Sequence, residues 1–170
     1  MGEINQPKSV MLMVAVTSRH REAIQWSADR FVQQYGPVAL RSGPFCFAET
    51  DYYRDSMGDD LLKEFLVFEQ LVDPAILPEL KRRTNDWEHA YREQAEFEES
   101  RPLNLDPGYI TEGKLVLAST KDHAHRIYLS DGIYAEVTLF FRSGRWCKSD
   151  WTYPDYQRED FQQFFSECRE

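Results

Sequence analysis

A chain of 170 residues, 42% hydrophobic and 14% aromatic, is long enough to bury a core unaided and too apolar to remain disordered. Its 29 acidic and 20 basic side chains give a net charge of −9, which argues against a duplex nucleic-acid partner, because backbone binding needs clustered positive charge. Cys46, Cys147 and Cys168 form no C-x-x-C pair, which argues against a disulfide framework or zinc knuckle and fits a reducing, cytoplasmic setting.

The polar stretch 1–8 reads as a tail on a single domain spanning 1–170. The apolar run 10–17 has strand length, has no signal-peptide flank and is too short to span a bilayer, so no membrane is expected. Ser18 can cap the helix that follows, with Ile24, Ala28, Phe31, Val32 and Tyr35 on one stripe, and Gly36-Pro37 stops it. Residues 38–47 read as a second strand with a bend or bulge at Gly43-Pro44. Residues 51–60 read as a polar loop. The run 62–71 fits either period, and a strand is preferred because Asp73-Pro74 starts a helix immediately afterwards. Ile76, Leu77, Leu80, Thr84, Trp87 and Tyr91 make the buried side of that helix, to about residue 97.

A strand over 103–110 would complete a ferredoxin-like, split β-α-β arrangement. Residues 111–120 are expected as a short helix, although Leu115-Val116-Leu117 also suits a strand. A hairpin follows. A three-residue loop, Ser130-Asp131-Gly132, puts Ile127 opposite Ala135 and Arg126 opposite Glu136, which keeps apolar and polar faces separate. Ser143-Gly144 turns the chain into an edge strand over 146–151. Asp155 then caps a last helix with Phe161, Phe164, Phe165 and Cys168 on one stripe. The expected class is α+β: a mixed, largely antiparallel sheet with a ferredoxin-like N-terminal part, a C-terminal hairpin and a helix, the helices mainly on one face.

Four groups of residues can carry chemistry. His123 and His125 point to one side of an extended segment and, with Asp122 or Asp106, would supply ligands for a divalent metal; otherwise His125 is a semi-buried side chain bonded to backbone. Arg101, Lys114, Lys121 and Arg126 suit a phosphate or carboxylate, and a helix starting at Thr111 would add backbone N–H donors. Otherwise Arg126 and Glu136 form a plain surface pair. Asp106-Pro107-Gly108-Tyr109 reads as a type II turn that holds Asp106 as a base or ligand beside the histidines. Trp146, Trp151, Tyr153 and Tyr156 either close a core or stack on a partner. Asn85, in mid-helix beside Thr84, sits where asparagine is disfavoured and could face a ligand. No P-loop, dinucleotide glycine motif, nucleophile elbow or H-E-x-x-H occurs.

The strings NLDPGYIT, KLVLAST, AHRIYL, GIYAEVTL and WTYPDY, with FE-x-L-x-DP-x-x-L-x-x-x-K-x-x-TN-x-x-E upstream, resemble the bacterial family called domain of unknown function 4416, over the chain from Val10 to the last helix. The resemblance implies no established activity. Some relatives carry a GTP-binding label, yet this sequence has neither a phosphate-cradling loop nor a guanine reader. The positions that match the family motifs are Thr84, Asn85, Asp106, Tyr109, Lys121, Asp122, His125 and Arg126. Two functions are expected. In the first, a pocket near the hairpin binds a small anionic, phosphate- or nucleotide-bearing ligand through Arg101, Tyr109, Lys121, Arg126 and Asn85, with Asp106 and His125 as acid/base groups. The alternative is a non-catalytic module that self-associates, as a homo-oligomer, or binds another protein through its aromatic edge.

Overall fold

The computed structural model describes residues 2–49 and 51–169, so Met1 of the polar tail lies outside the described residues. The strands are β1 (Val10–Ser18), β2 (Val38–Arg41), β3 (Phe45–Phe47), β4 (Leu61–Val72), β5 (Asn104–Ile110), β6 (Lys114–Ser119), β7 (Ile127–Ser130), β8 (Ile133–Arg142) and β9 (Arg145–Lys148). The helices are α1 (Arg21–Tyr35), the short α2 (Arg54–Met57), α3 (Leu77–Arg92) and α4 (Glu159–Glu167). One sheet runs in the order β2-β4-β1-β5-β6-β8-β7, with β3 also beside β4 and β9 beside β8. The chain is α+β. The expected mixture of strand directions is not found, since every ladder among the described residues is antiparallel.

The apolar run at 10–16 exists because both faces of β1 are covered. Leu12, Val14 and Val16 join a core with Ile24, Ala28 and Phe31 of α1 and Leu80 of α3. Met13 and Ala15 point the other way, into a core with Phe161, Phe164 and Phe165 of α4. Two long helices therefore cover one face and α4 the other. None of the helices among the described residues is long and apolar enough to cross a membrane.

Several elements depart from expectation. The interruption expected at Gly43-Pro44 is present but is a full break rather than a bend, giving β2 and β3, which pair with different parts of β4. The segment 111–120 is no helix but a tight turn and β6, whose Leu115, Val116, Leu117 and Ala118 are all buried. A run apolar on both faces suits a central strand better than a helix with one stripe, and Gly113 sits in the turn, where its N–H donates to Thr111 Oγ1. The helix N-terminal anion site expected at Thr111 is therefore absent. Asp155 caps no helix: it opens a short 3-10 turn (Asp155–Gln157), and α4 begins after Arg158. In contrast, Asp73 caps as expected, its carboxylate accepting from the Ala75 N–H at 2.9 Å.

The hairpin keeps the expected register, with Ile127 opposite Ala135 and Tyr128 opposite Tyr134. Its turn is tighter than expected. Ser130 also pairs with Ile133, which leaves Asp131-Gly132 as the loop and Leu129 bulged. Both loop residues have positive φ, 53° and 74°, as a two-residue turn of this hand requires. The faces are distributed against intuition: Ile127 is 73% exposed, whereas Glu136 and Thr138 are buried.

Asp106-Pro107-Gly108-Tyr109 forms no turn. It lies inside β5, paired with β1 throughout. On its other side β5 meets β6 only from Gly108 (opposite Leu117) to Ile110 (opposite Leu115). Beyond that point β6 continues beside β8 alone, so the sheet splits between residues 104–107 and residues 118–119. The open edge of β5 is satisfied by α3. The Leu105 N–H donates to Glu88 Oε1 at 2.7 Å, and its carbonyl accepts from Lys81 Nζ at 2.8 Å. Pro107, two residues on and so facing the same gap, has no N–H to leave unpaired.

Candidate functional site

A cleft of about 490 Å³ opens at this split. Asp106 pairs with Ala15, Glu136 with Leu117 and Lys63 with Phe45, so these polar side chains share the sheet face covered by α4. Lys81 and Asn85 of α3 reach the same cleft from the opposite face through the gap.

Ion pairs line and border it. Lys63 Nζ donates to Asp155 Oδ2 at 2.5 Å, with both side chains buried. Lys81 Nζ lies 3.4 Å from Asp106 Oδ1, while Asn104 Nδ2 donates to Asp106 Oδ2 at 2.7 Å. The Arg101 guanidinium donates to Glu88 Oε2 through Nε at 3.2 Å and Nη2 at 2.9 Å, and its Nη2 also donates to Asn104. Arg126 Nε donates to Glu136 Oε2 at 2.7 Å, and the two side chains are only 2% and 1% exposed. Expectation had this as a surface pair. It is instead the most buried link in the cleft wall.

Arg126 also holds the loop that follows β6. Its Nη1 donates to Ser119 Oγ at 2.7 Å and to the Lys121 carbonyl at 3.0 Å, and its Nη2 to Tyr153 OH at 2.5 Å. His125 Nε2 lies 3.1 Å from Glu136 Oε2, and its ring stacks on Trp151 with centroids 5.2 Å apart. Lys121 Nζ donates to Tyr52 OH at 2.6 Å.

Burial, reinforced by the Glu136 charge, pushes the Tyr153 phenol up to about 12, so it stays neutral in ordinary buffers. Burial also raises the Glu88 carboxyl, outweighing Arg101 and Lys81. For Asp106 burial acts upward too, but the charges of Lys81 and Lys63, the Asn104 hydrogen bond and Arg101 together hold it below its ordinary value. A carboxyl depressed by folding adds stability above its unfolded value of about 3.9, and that stability is lost as the pH falls through its folded value. Asp106→Asn is therefore expected to flatten the acid limb of stability below about pH 4. Urea unfolding across that range measures it, and a limb as steep as the parent's would refute the assignment.

A family model described as domain of unknown function (DUF4416) matches residues 8–170. The chain belongs to the DUF4416 family. No curated protein and no solved structure matches it. Of the eight positions matching the family motifs, Asn85, Asp106, Lys121, His125 and Arg126 line the cleft. Thr84, Tyr109 and Asp122 do not. Thr84 is fully buried and donates to the Lys81 carbonyl, and Tyr109 packs against Leu77, Val116 and Ile133.

Arg101 and His123 also line the cleft, and Lys114 does not. His123 and His125 are not in an extended segment: the Arg126 N–H closes a turn on the His123 carbonyl at 2.9 Å, and their ring centroids stand 5.8 Å apart. Among the described residues no three His, Cys, Asp or Glu side chains are grouped to hold a metal ion. Sequence reasoning missed Lys63, Lys81, Glu88, Asn104 and Asp155. Lys81 and Glu88 had a signal. With Asn85 they stand at spacings of four, three and seven, on one helix face, inside a motif string that carries the family resemblance.

Proposed function

We propose that the cleft binds a small anionic ligand bearing a phosphate or a nucleotide, in the cytosol, where the three free thiols would persist. The observation that carries this reading is the convergence of Arg101, from the segment before β5, with Lys121 and Arg126, from the loop between β6 and β7, on one concave site. Five cationic side chains line it against four carboxylates, a local reversal of sign in a chain of net charge −9. Most of those cations are already paired. Lys121 is the lining cation with no carboxylate partner among the described residues, and this favours a mono- or dianion over a triphosphate. The volume falls within the roughly 300–1,000 Å³ usual for small-molecule sites. Trp151, 43% exposed, offers a flat ring at the rim, which suits a base or other planar group.

Asp106, ionised, and His125 face the cleft from the two sides of the split and are the groups we assign to any proton transfer there. The order β5-β1-β4-β2, with α1 after β1 and α3 after β4, supports a ferredoxin-like reading of the N-terminal part. The self-association alternative has in its favour the exposed strip of Ile127, Tyr128 and Leu129 on β7 and the exposed rings of Trp151 and Tyr153, but none of these singles out a partner.

Lys121→Ala separates binding from folding. The side chain is exposed, so stability is expected to stay within about 0.5 kcal/mol of the parent. The half-saturating concentration of inorganic phosphate, AMP or GMP in a thermal-shift titration is expected to rise about tenfold, the value of one charge-assisted hydrogen bond. A parent protein that none of these compounds stabilises would sink the reading.

A further inference from the structure

We propose that the ligand's oxyanion seats on the floor of the cleft, with the Tyr156 hydroxyl and the Lys63 ammonium as its donors. This rests on the anion-binding reading and adds the subsite. Tyr156 lines the cleft but is only 2% exposed, and its hydroxyl has no hydrogen-bond partner among the described residues. Buried polar atoms are almost always bonded, and an exception calls for an explanation.

The ring explains only the ring. It stacks on Phe165 at 5.9 Å and meets Phe65 and Phe161 edge-on at 5.8 and 6.1 Å. Phenylalanine would pack there equally well and leave no orphaned oxygen. Those contacts also hold the ring in place, so the hydroxyl cannot swing out to find water. Lys63, 5% exposed, is in a similar position. Its ammonium lies 4.8 Å over the Tyr156 ring and 4.9 Å over the Phe47 ring. It has three N–H donors and uses one, on Asp155. The floor thus holds spare O–H and N–H donors beside an ammonium whose charge Asp155 already balances. A terminal phosphate or carboxylate, rich in acceptor lone pairs and without N–H donors, complements it.

Tyr156→Phe removes the hydroxyl and keeps the ring. Without additives the variant is expected to melt at or above the parent's temperature, because the orphaned oxygen is gone. A lower midpoint would mean that the hydroxyl has a structural partner and would overturn the proposal. With inorganic phosphate as one titrant and malonate as the other, the half-saturating concentration for the preferred oxyanion is expected to rise about tenfold, the equivalent of about 1.4 kcal/mol. If parent and Tyr156→Phe titrate alike while Lys121→Ala is weakened, the anion site stands and the floor assignment falls. If neither oxyanion shifts the parent, the anion reading itself fails and this inference with it.

Discussion

Glu136→Leu is expected to lower the unfolding free energy by about 3–5 kcal/mol, the usual cost of stranding one member of a buried ion pair. Glu136 is hidden among groups that converge on its carboxylate: Arg126 and His125 meet Oε2, and Thr138 donates to Oε1. Leucine fills the space but leaves the Arg126 guanidinium, 2% exposed, without a counter-charge. In a chain of this size the loss corresponds to roughly 10–15 °C in melting temperature, read by circular dichroism or calorimetry. The double variant Arg126→Met/Glu136→Leu is expected to recover most of it, because an apolar pair of similar volume is often no worse than the ions it replaces. Recovery would identify the stranded charge as the cause. A single variant within about 0.5 kcal/mol of the parent, the range of an ordinary surface change, would mean the pair is effectively solvated.

The same pair decides whether the site exists. Arg126 bonds the Lys121 carbonyl and Tyr153 OH, so the loop bearing Lys121, His123 and His125 is tied to the wall through a guanidinium that Glu136 holds in place. The Arg126–Glu136 pairing could be read from the hairpin register. Its burial could not, because burial depends on α4 and the segment after β9 closing over that face. Both come later in the chain, and no local pattern encodes where they pack.

Elements with a single clear period and chemical stops were legible. α1 ends at Gly36, whose φ is 83°, and the 3-10 turn Pro74–Ile76 that runs into α3 starts where Asp73 and Pro74 place it. The misread elements share one cause. Residues 114–119, expected as a helix, and Asp106-Pro107-Gly108-Tyr109, expected as a turn inside a segment otherwise expected as strand, both lie in central strands with neighbours on both sides. The first lacks alternation because both faces are buried. The second contains Pro-Gly, which in isolation means a turn. Only the split in the sheet makes a proline acceptable there, and the split is a property of four strands together.

The site was legible in its arginines, histidines and Asp106 because these crowd one stretch of sequence. Lys63 and Asp155 were invisible for the opposite reason: they are 92 residues apart in sequence, one inside an apolar strand and the other in what looked like a helix cap. Lysine in a buried strand is a local contradiction, and such contradictions tend to mark functional positions.

Gly108→Ala is expected to be the most damaging small change in the molecule. A Cβ built there would lie 2.1 Å from the Val116 carbonyl oxygen and 2.8 Å from Leu117 Cδ2. The first contact is with backbone, which cannot step aside as a flexible side chain could. Gly108 opposite Leu117 is also the last rung of the β5–β6 ladder before the strands part. Relief therefore means moving β6 away from β5, which breaks the three-residue pairing from its open end. The cost is expected at about 3 kcal/mol, the upper part of the usual range for overpacking, read as a fall in urea midpoint. The damage should not stay local. Asp106 and Asn104 on one lip of the cleft and Ser119 on the other are spaced by that last rung, so Gly108→Ala is also expected to weaken phosphate binding beyond what the remaining folded fraction accounts for. Gly113→Ala is the control: its Cβ meets nothing within 4 Å, and it is expected to leave both stability and binding near the parent's. If Gly108→Ala behaves like that control, strands β5 and β6 are not in the close contact that shapes the cleft.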